Sequence, residues 1–170
     1  WVSDGSNTTE VGLTGGDYTR DDGYYQSEAF IRFSPNGSEE FGINESGSVL
    51  GTNIRYDGAD EAGQTAWYFD GESEEIVEFL FSVRSTDNYA YSQPCFLGED
   101  GLVLGSYTLF DDMDNELGAR AFYYTEEYGL FDLGSIVEGG LSTNGWESLA
   151  MAYYANGLDQ IIGWGSLLSQ

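Results

Sequence analysis

Carboxylates are the only ionisable side chains this sequence holds in quantity. Asp and Glu number 30, Lys and Arg together number 5, and His is absent. In the run Asp111-Asp112-Met113-Asp114-Asn115-Glu116, the acids Asp112, Asp114 and Glu116 alternate at i, i+2 and i+4. That spacing can aim oxygen ligands at a hard cation such as Ca²⁺, as at the start of an EF-hand loop. Leu117 stands where that loop needs Gly, and Tyr123 stands at its distal Glu. Ca²⁺ is thus the one cofactor expectation, and a solvated hairpin loop is the plainer reading. Acidic doublets occur at Glu39-Glu40, Glu74-Glu75, Asp111-Asp112 and Glu126-Glu127. A glycosidase needs two carboxyl groups about 5–10 Å apart across a cleft. Neighbours in a strand point to opposite faces, so the doublets read as solvent-facing turns, and no residue is assigned as catalytic.

The missing residue types narrow the chemistry further. Without His there is no Ser-His-Asp triad or Cys-His dyad. Without His, and with the single Cys95, the usual structural zinc sites cannot form within one chain. Without Lys there is no Schiff base and no P-loop lysine. Cys95 has no partner for an internal disulfide, and Pro94-Cys95-Phe96 reads as an apolar stretch.

The net charge is −25. Phosphate binding needs clustered cations, so nucleic acid is not expected as a partner, nor is an anionic membrane surface. No apolar run approaches the ~20 residues of a membrane helix, so membrane insertion is not expected. Such a polyanion is soluble but repels itself; salt screens that repulsion within about 10 Å at 0.1 M. High salt or divalent cations are the expected medium. The 13 Tyr, 10 Phe and 4 Trp argue against an acidic disordered tail. The first residue is Trp1, which reads as the start of a processed or excised piece, from which any export signal would have been removed.

Short turns recur along the chain at Asp4-Gly5, Ser46-Gly47, Asp100-Gly101 and Asn156-Gly157, their glycines 42, 54 and 56 residues apart. Each precedes an apolar run ending at glycine: Glu10-Val11-Gly12, Val49-Leu50-Gly51, Val103-Leu104-Gly105 and Ile161-Ile162-Gly163. Then comes an acidic loop (Asp17 with Asp21-Asp22, Asp57 with Asp60-Glu61, and Asp111 to Glu116) and an Ala-aromatic pair. Those pairs, Ala29-Phe30, Ala66-Trp67 and Ala121-Phe122, lie 17, 15 and 16 residues after the glycines. Aromatic and β-branched runs bounded by Gly, Asn and Asp are strands. Glu74–Val83 and Leu149–Tyr154 could be drawn as helices, but strand formers and repeat position favour strands.

The expected fold is therefore all-β, with tandem hairpin or blade repeats forming a partial or small propeller. A stacked-sheet sandwich and an open repeat arc are the alternatives. Residues 1–170 read as one repeat domain, with units near 1–46, 47–100 and 101–156 and a last hairpin at 157–170. Tyr24-Tyr25, Tyr89, Tyr91 and Tyr153-Tyr154 could stack on sugars, although core packing is the simpler role. Sequons occur at Asn7, Asn36 and Asn44; they matter only in a glycosylating host.

The stretch Arg120-Ala121-Phe122-Tyr123-Tyr124 through Phe131-Asp132-Leu133-Gly134-Ser135 resembles the HAF-type extracellular repeat family, named for a His-Ala-Phe tripeptide. Gly42–Gly51 and Ala155–Trp164 resemble its turn-and-strand element. The His is replaced by Glu28, Thr65 and Arg120, and Asp-Leu-Gly occurs once. The resemblance implies export and a β-rich repeat fold, with no catalytic residues to carry over. The expected function is a non-enzymatic secreted or surface module for adhesion, matrix or glycan contact in a saline setting. A self-assembling fibre subunit and a carbohydrate-active enzyme fragment are the alternatives. Expected partners are glycans or copies of the chain itself.

Overall fold

The computed structural model describes residues 1–3, 5–21, 29–31, 42–71, 75–158 and 160–169, with side chains for all of these except 29–31. Tyr24-Tyr25, Glu39-Glu40, Asp4, Asp22, Glu74 and the Asn36 sequon lie outside the described residues.

Strands and turns account for nearly all the described backbone, because the sequence alternates β-forming runs with Gly, Asn and Asp turns. A small hairpin comes first: β1 (Val2–Ser3) pairs antiparallel with β2 (Thr8–Thr9). A four-stranded antiparallel meander follows, made of β3 (Ala29–Ile31), β4 (Val49–Asp57), β5 (Asp60–Phe69) and β6 (Ile76–Phe79). The second meander repeats the pattern with β7 (Ala90–Leu97), β8 (Val103–Phe110), β9 (Glu116–Thr125) and β10 (Gly129–Asp132). Last comes the hairpin β11 (Trp146–Ala155) with β12 (Ile161–Leu167). Among the described residues the only helical segments are 3-10 turns at Gly16–Tyr18, Leu133–Ile136 and Ser142–Asn144. The two ambiguous stretches are strands: β6 runs inside Glu74–Val83, and β11 spans Leu149–Tyr154.

The two meanders join through β5. Its second half, Ala66–Phe69, pairs with β6, while Gly63 and Gln64 pair parallel with Ala90 and Tyr91 of β7. Pro94 is buried in β7 beyond that short contact and beside a bulge, where its missing N–H costs no ladder bond. Among the described residues the sheets form no closed barrel or ring.

Alternation along β4, β5, β8 and β9 sends apolar side chains to both faces. Leu50, Ala66, Tyr68 and Phe79 of the first meander meet Val103, Tyr107, Phe122 and Tyr124 of the second. Ring centroids there are 5.3 Å apart for Phe79–Phe122 and 4.9 Å for Phe79–Tyr124, and Phe81 stacks on Tyr107 at 3.9 Å. Each ring pair adds about 0.5–1.5 kcal/mol beyond its buried area. This seam, rather than the two-residue parallel register, holds the meanders together. The opposite face of the first meander, Val49, Trp67 and Phe69, is covered by Val11, Leu13 and Tyr18. The opposite face of the second, Leu104 and Ala121, is covered by Ala152 and Ala155, with Leu149 and Ile161 packed at the margin. Four layers are thus stacked in chain order.

Two expectations are corrected here. Ala66-Trp67 and Ala121-Phe122 are equivalent: the aromatic residue of each faces Gly51 or Gly105 across the ladder. Ala29-Phe30 is not, because β3 precedes β4 in its meander, whereas β5 and β9 follow β4 and β8. Glu10-Val11-Gly12 forms no strand; Val11 is buried as a plug against β4 and β5. The meanders also begin one strand earlier than units counted from the turn glycines.

Candidate functional site

The acidic run Asp111–Glu116 forms the tip of the β8–β9 hairpin, where the sequence placed a loop. Asp111 Oδ1 accepts from the backbone N–H groups of Met113 and Asn115, both at 2.9 Å. Asp114, in left-handed backbone at φ 63°, turns its carboxylate to the 82–89 loop. It accepts from Ser85 N and Ser85 Oγ at 2.8 Å, and from Thr86 N at 3.0 Å. Asp112 and Glu116 are exposed beside it. Among the described residues no group of three or more His, Cys, Asp or Glu is arranged to hold a metal ion. The carboxylate of Asp114 forms a clip between the hairpin tip and the preceding loop.

These hydrogen bonds hold Asp114 below the usual carboxylate range, with Ser85 the main cause. Asn115 does the same for Asp111, and Arg84 for Asp87. A depressed folded pKa stabilises the clip fully above the unfolded value and loses that contribution as pH falls through the folded one. Corrected hydrogen-exchange protection at Ser85 and Thr86 is expected to fall below about pH 4. In Asp114→Asn it should be low throughout and its pH dependence weaker; an unchanged profile would contradict the clip.

Of the acidic doublets, the two that are wholly described, Asp111-Asp112 and Glu126-Glu127, lie in turns at opposite ends of β9. Glu126 and Glu127 are exposed in the β9–β10 turn. A recess of about 290 Å³ gathers Asp70, Glu99, Asp100 and Glu126 around the Tyr68 hydroxyl. Three of them accept hydrogen bonds: Glu99 Oε2 from Glu45 N at 2.9 Å, Asp100 Oδ1 from Leu102 N at 3.2 Å, and Glu126 Oε1 from the Tyr68 hydroxyl at 3.4 Å. Burial, with Glu126 and Asp70 nearby, raises the Tyr68 pKa. The Asn44 sequon is built into the turn before β4, its Nδ2 donating to Gly98 O at 3.0 Å.

Arg55 is the largest charged group in the core, 1% exposed. Its Nη1 donates to the Tyr18 hydroxyl at 2.9 Å, and its Nη2 to Asn88 Oδ1 at 3.1 Å and Asp17 Oδ2 at 3.3 Å. Glu78 lies 3.5 Å from Nη1 and also accepts from the Tyr18 hydroxyl. Burial and Glu78 push the Tyr18 pKa well up. This network ties β4, β6, the first 3-10 turn and the 82–89 loop together. Its donors and acceptors satisfy one another, which marks it as structural.

A further concave surface is apolar. A cleft of about 380 Å³ lies between the Leu133–Ile136 turn and the β11–β12 hairpin, with Trp146, Met151 and Trp164 among its lining residues. That volume is in the range of small-ligand sites. Trp164 is half exposed. One wall is set by Asp132, whose Oδ1 caps the 3-10 turn by accepting from Ser135 N at 3.1 Å. Its Oδ2 accepts from the Tyr107 hydroxyl at 2.6 Å, which with burial raises the Tyr107 pKa. The Asp132-Leu133-Gly134 element therefore has a local role: Asp132 locks the strand end, Leu133 packs inward, and Gly134 lies against Leu141.

The other wall is shaped by three register shifts along β11. They bring Met151 O within 2.0 Å of the site a Cβ would occupy on Gly163, and Ser148 O within 2.2 Å at Gly165. Only glycine permits that approach. Among the tyrosines considered for sugar stacking, Tyr154 lies edge-on to Phe96, Tyr89 edge-on to Phe110, and Tyr91 donates to Gln93; Tyr153 is exposed. Trp146 and Trp164 were not singled out by the sequence, since isolated tryptophans carry no spacing signal.

Comparison with known proteins adds no relative: no family model matches the chain, no curated protein matches it, and no solved structure matches it.

Proposed function

We propose that the chain is a non-catalytic contact module of a saline extracellular setting, stacking neutral glycan rings against the tryptophans of the β11–β12 cleft. The single observation behind this reading is the open cleft that carries both Trp146 and Trp164. Flat, rigid aromatic faces give contact area at low entropic cost, and the charge of −25 disfavours anionic polysaccharides. Among the described residues the carboxylates with displaced pKa, Asp87, Asp111 and Asp114, are all held down, whereas a glycosidase acid is held up. Propeller-like repetition and the HAF-type resemblance belong to the same proposal; the two meanders stacked in chain order support it.

Titrating the protein with neutral hexaoses of glucose and of mannose is expected to quench tryptophan emission without releasing reducing ends. Trp146→Ala should weaken binding at least about tenfold, equivalent to about 1.4 kcal/mol. Turnover of either sugar, or binding unchanged in Trp146→Ala, would overturn the proposal.

A further inference from the structure

We infer that the polar groove sharing Trp164 with the apolar cleft is a second sugar subsite, which holds the next ring of a neutral oligosaccharide by its hydroxyl groups. The inference rests on the stacking of a glycan ring in that cleft. The cleft can cover the face of a ring, but its lining residues, among them Leu133, Ile136 and Met151, carry no hydroxyl, amide or charged side chain; the indole N–H groups of Trp146 and Trp164 are its only side-chain donors. Stacking alone fixes neither the orientation nor the identity of a sugar; a few placed polar groups do. Such groups line a groove of about 160 Å³ between the start of β9 and the β11–β12 hairpin: Arg120, Glu147, Ser148 and Ser166. Trp164 lines both hollows, so a saccharide stacked on it brings its next ring to these residues.

Irregularities in two ladders shape the groove. In β9 a register shift leaves Leu117 as an extra residue between Glu116, level with Phe110, and Gly118, opposite Leu109. Gly118 takes φ 88° there, a conformation that glycine adopts without steric cost. Arg120 follows, half-buried, its Nη1 donating to Ala119 O at 2.8 Å. In β11 the shift between Trp146 and Ser148 makes Glu147 the extra residue and sets Ser148 opposite Ser166. Bulges re-aim side chains in this way. Ser148 is 6% exposed, and among the described residues its hydroxyl has no hydrogen-bond partner. A polar group so buried is ordinarily bonded. Arg120 and Glu147 line the same groove and form no ion pair among the described residues. N–H donors, a carboxylate acceptor and two hydroxyls therefore stay open to a ligand, and sugar hydroxyls, each both donor and acceptor, match that set. One cation beside one carboxylate suits a neutral ring rather than an anion.

Tryptophan emission, titrated with the methyl glycosides, disaccharides and hexaoses of glucose and of mannose, is the test. In the series that binds, affinity should rise at least about tenfold from the single ring to the disaccharide, equivalent to about 1.4 kcal/mol, as the second ring meets the groove. Joint Glu147→Ala and Ser148→Ala substitution should remove that gain and leave the affinity of the single ring, held by the cleft, within about twofold. Arg120→Gln, on the opposite wall, gives an independent reading and should cut the gain at least about threefold. Glu127→Ala, exposed in the β9–β10 turn, removes the same charge away from the groove and should change nothing. Near-UV circular dichroism checks that the variants fold. A disaccharide no tighter than the single ring, or a gain that survives either change in the groove, would overturn the inference while binding that needs Trp146 leaves the stacking in place. If no sugar binds in a manner that needs Trp146, the stacking itself fails and the second subsite with it.

Discussion

Arg55→Ala is expected to lower unfolding free energy by about 3–5 kcal/mol, the cost of removing one partner from a buried ionic network. The change leaves the Tyr18 hydroxyl, Glu78 and Asn88 without the donor that four separate segments share. Asp17 is more than half exposed, so its share is small after solvent screening. The large cost comes from the void left by a side chain 1% exposed and from acceptors that water reaches poorly. Arg55→Lys keeps one charge but loses the planar fork that reaches Tyr18, Asn88 and Asp17 together; its expected loss is roughly half. Urea unfolding at fixed salt checks both, with midpoint and slope reported together. A loss below about 1 kcal/mol for Arg55→Ala would mean that packing alone fixes this corner.

Gly105→Ala should cost about 3 kcal/mol or more, at the upper end for overpacking. A Cβ there would lie 2.2 Å from Gln93 O and 2.6 Å from the Phe122 ring. Neither neighbour yields easily: one is ladder backbone of β7, and the other is a fully buried ring in the interlayer seam. The methyl group would have to move strand against strand, or separate the two meanders. Gly157→Ala is the control, since nothing lies within 4 Å of its added Cβ; it should be neutral, or stabilising by about 0.4–1 kcal/mol through the unfolded chain. Thermal and urea unfolding of the pair test the point, and equal effects would remove the packing explanation for this glycine.

That glycine also shows what the sequence reveals and what it hides. Gly105 and Gly163, each two residues past the start of an apolar run, were legible as a repeated position. Their reason was not: both lie under a carbonyl of the preceding strand beside a bulge, and a bulge leaves no periodic mark. The turns at Gly47 and Gly101 take left-handed backbone as their residue types suggest. The Asn156-Gly157 turn differs, being held by Asn156 Oδ1 accepting from the backbone N–H groups of Leu158 and Gln160. Ala29-Phe30 matched the other pairs in spacing but belongs to another strand of its meander, because equal gaps do not tell which neighbour a strand chooses. Arg55 was invisible as a site, since one charge in a strand reads as surface until its partners, up to 38 residues away in sequence, are brought around it. The tryptophan cleft depends on two tryptophans 18 residues apart in sequence, which meet only after the hairpin folds back.

The stacking of the two meanders, on which the layered fold rests, runs through the Phe79–Tyr124 seam. Nuclear Overhauser contacts between side chains of the two meanders measure that directly. Cross-peaks should join Phe79 to Phe122 and Tyr124, and Phe81 to Tyr107, at centroid separations of 5.3, 4.9 and 3.9 Å. If these rings give contacts only within their own meander, the layers do not stack and the account fails.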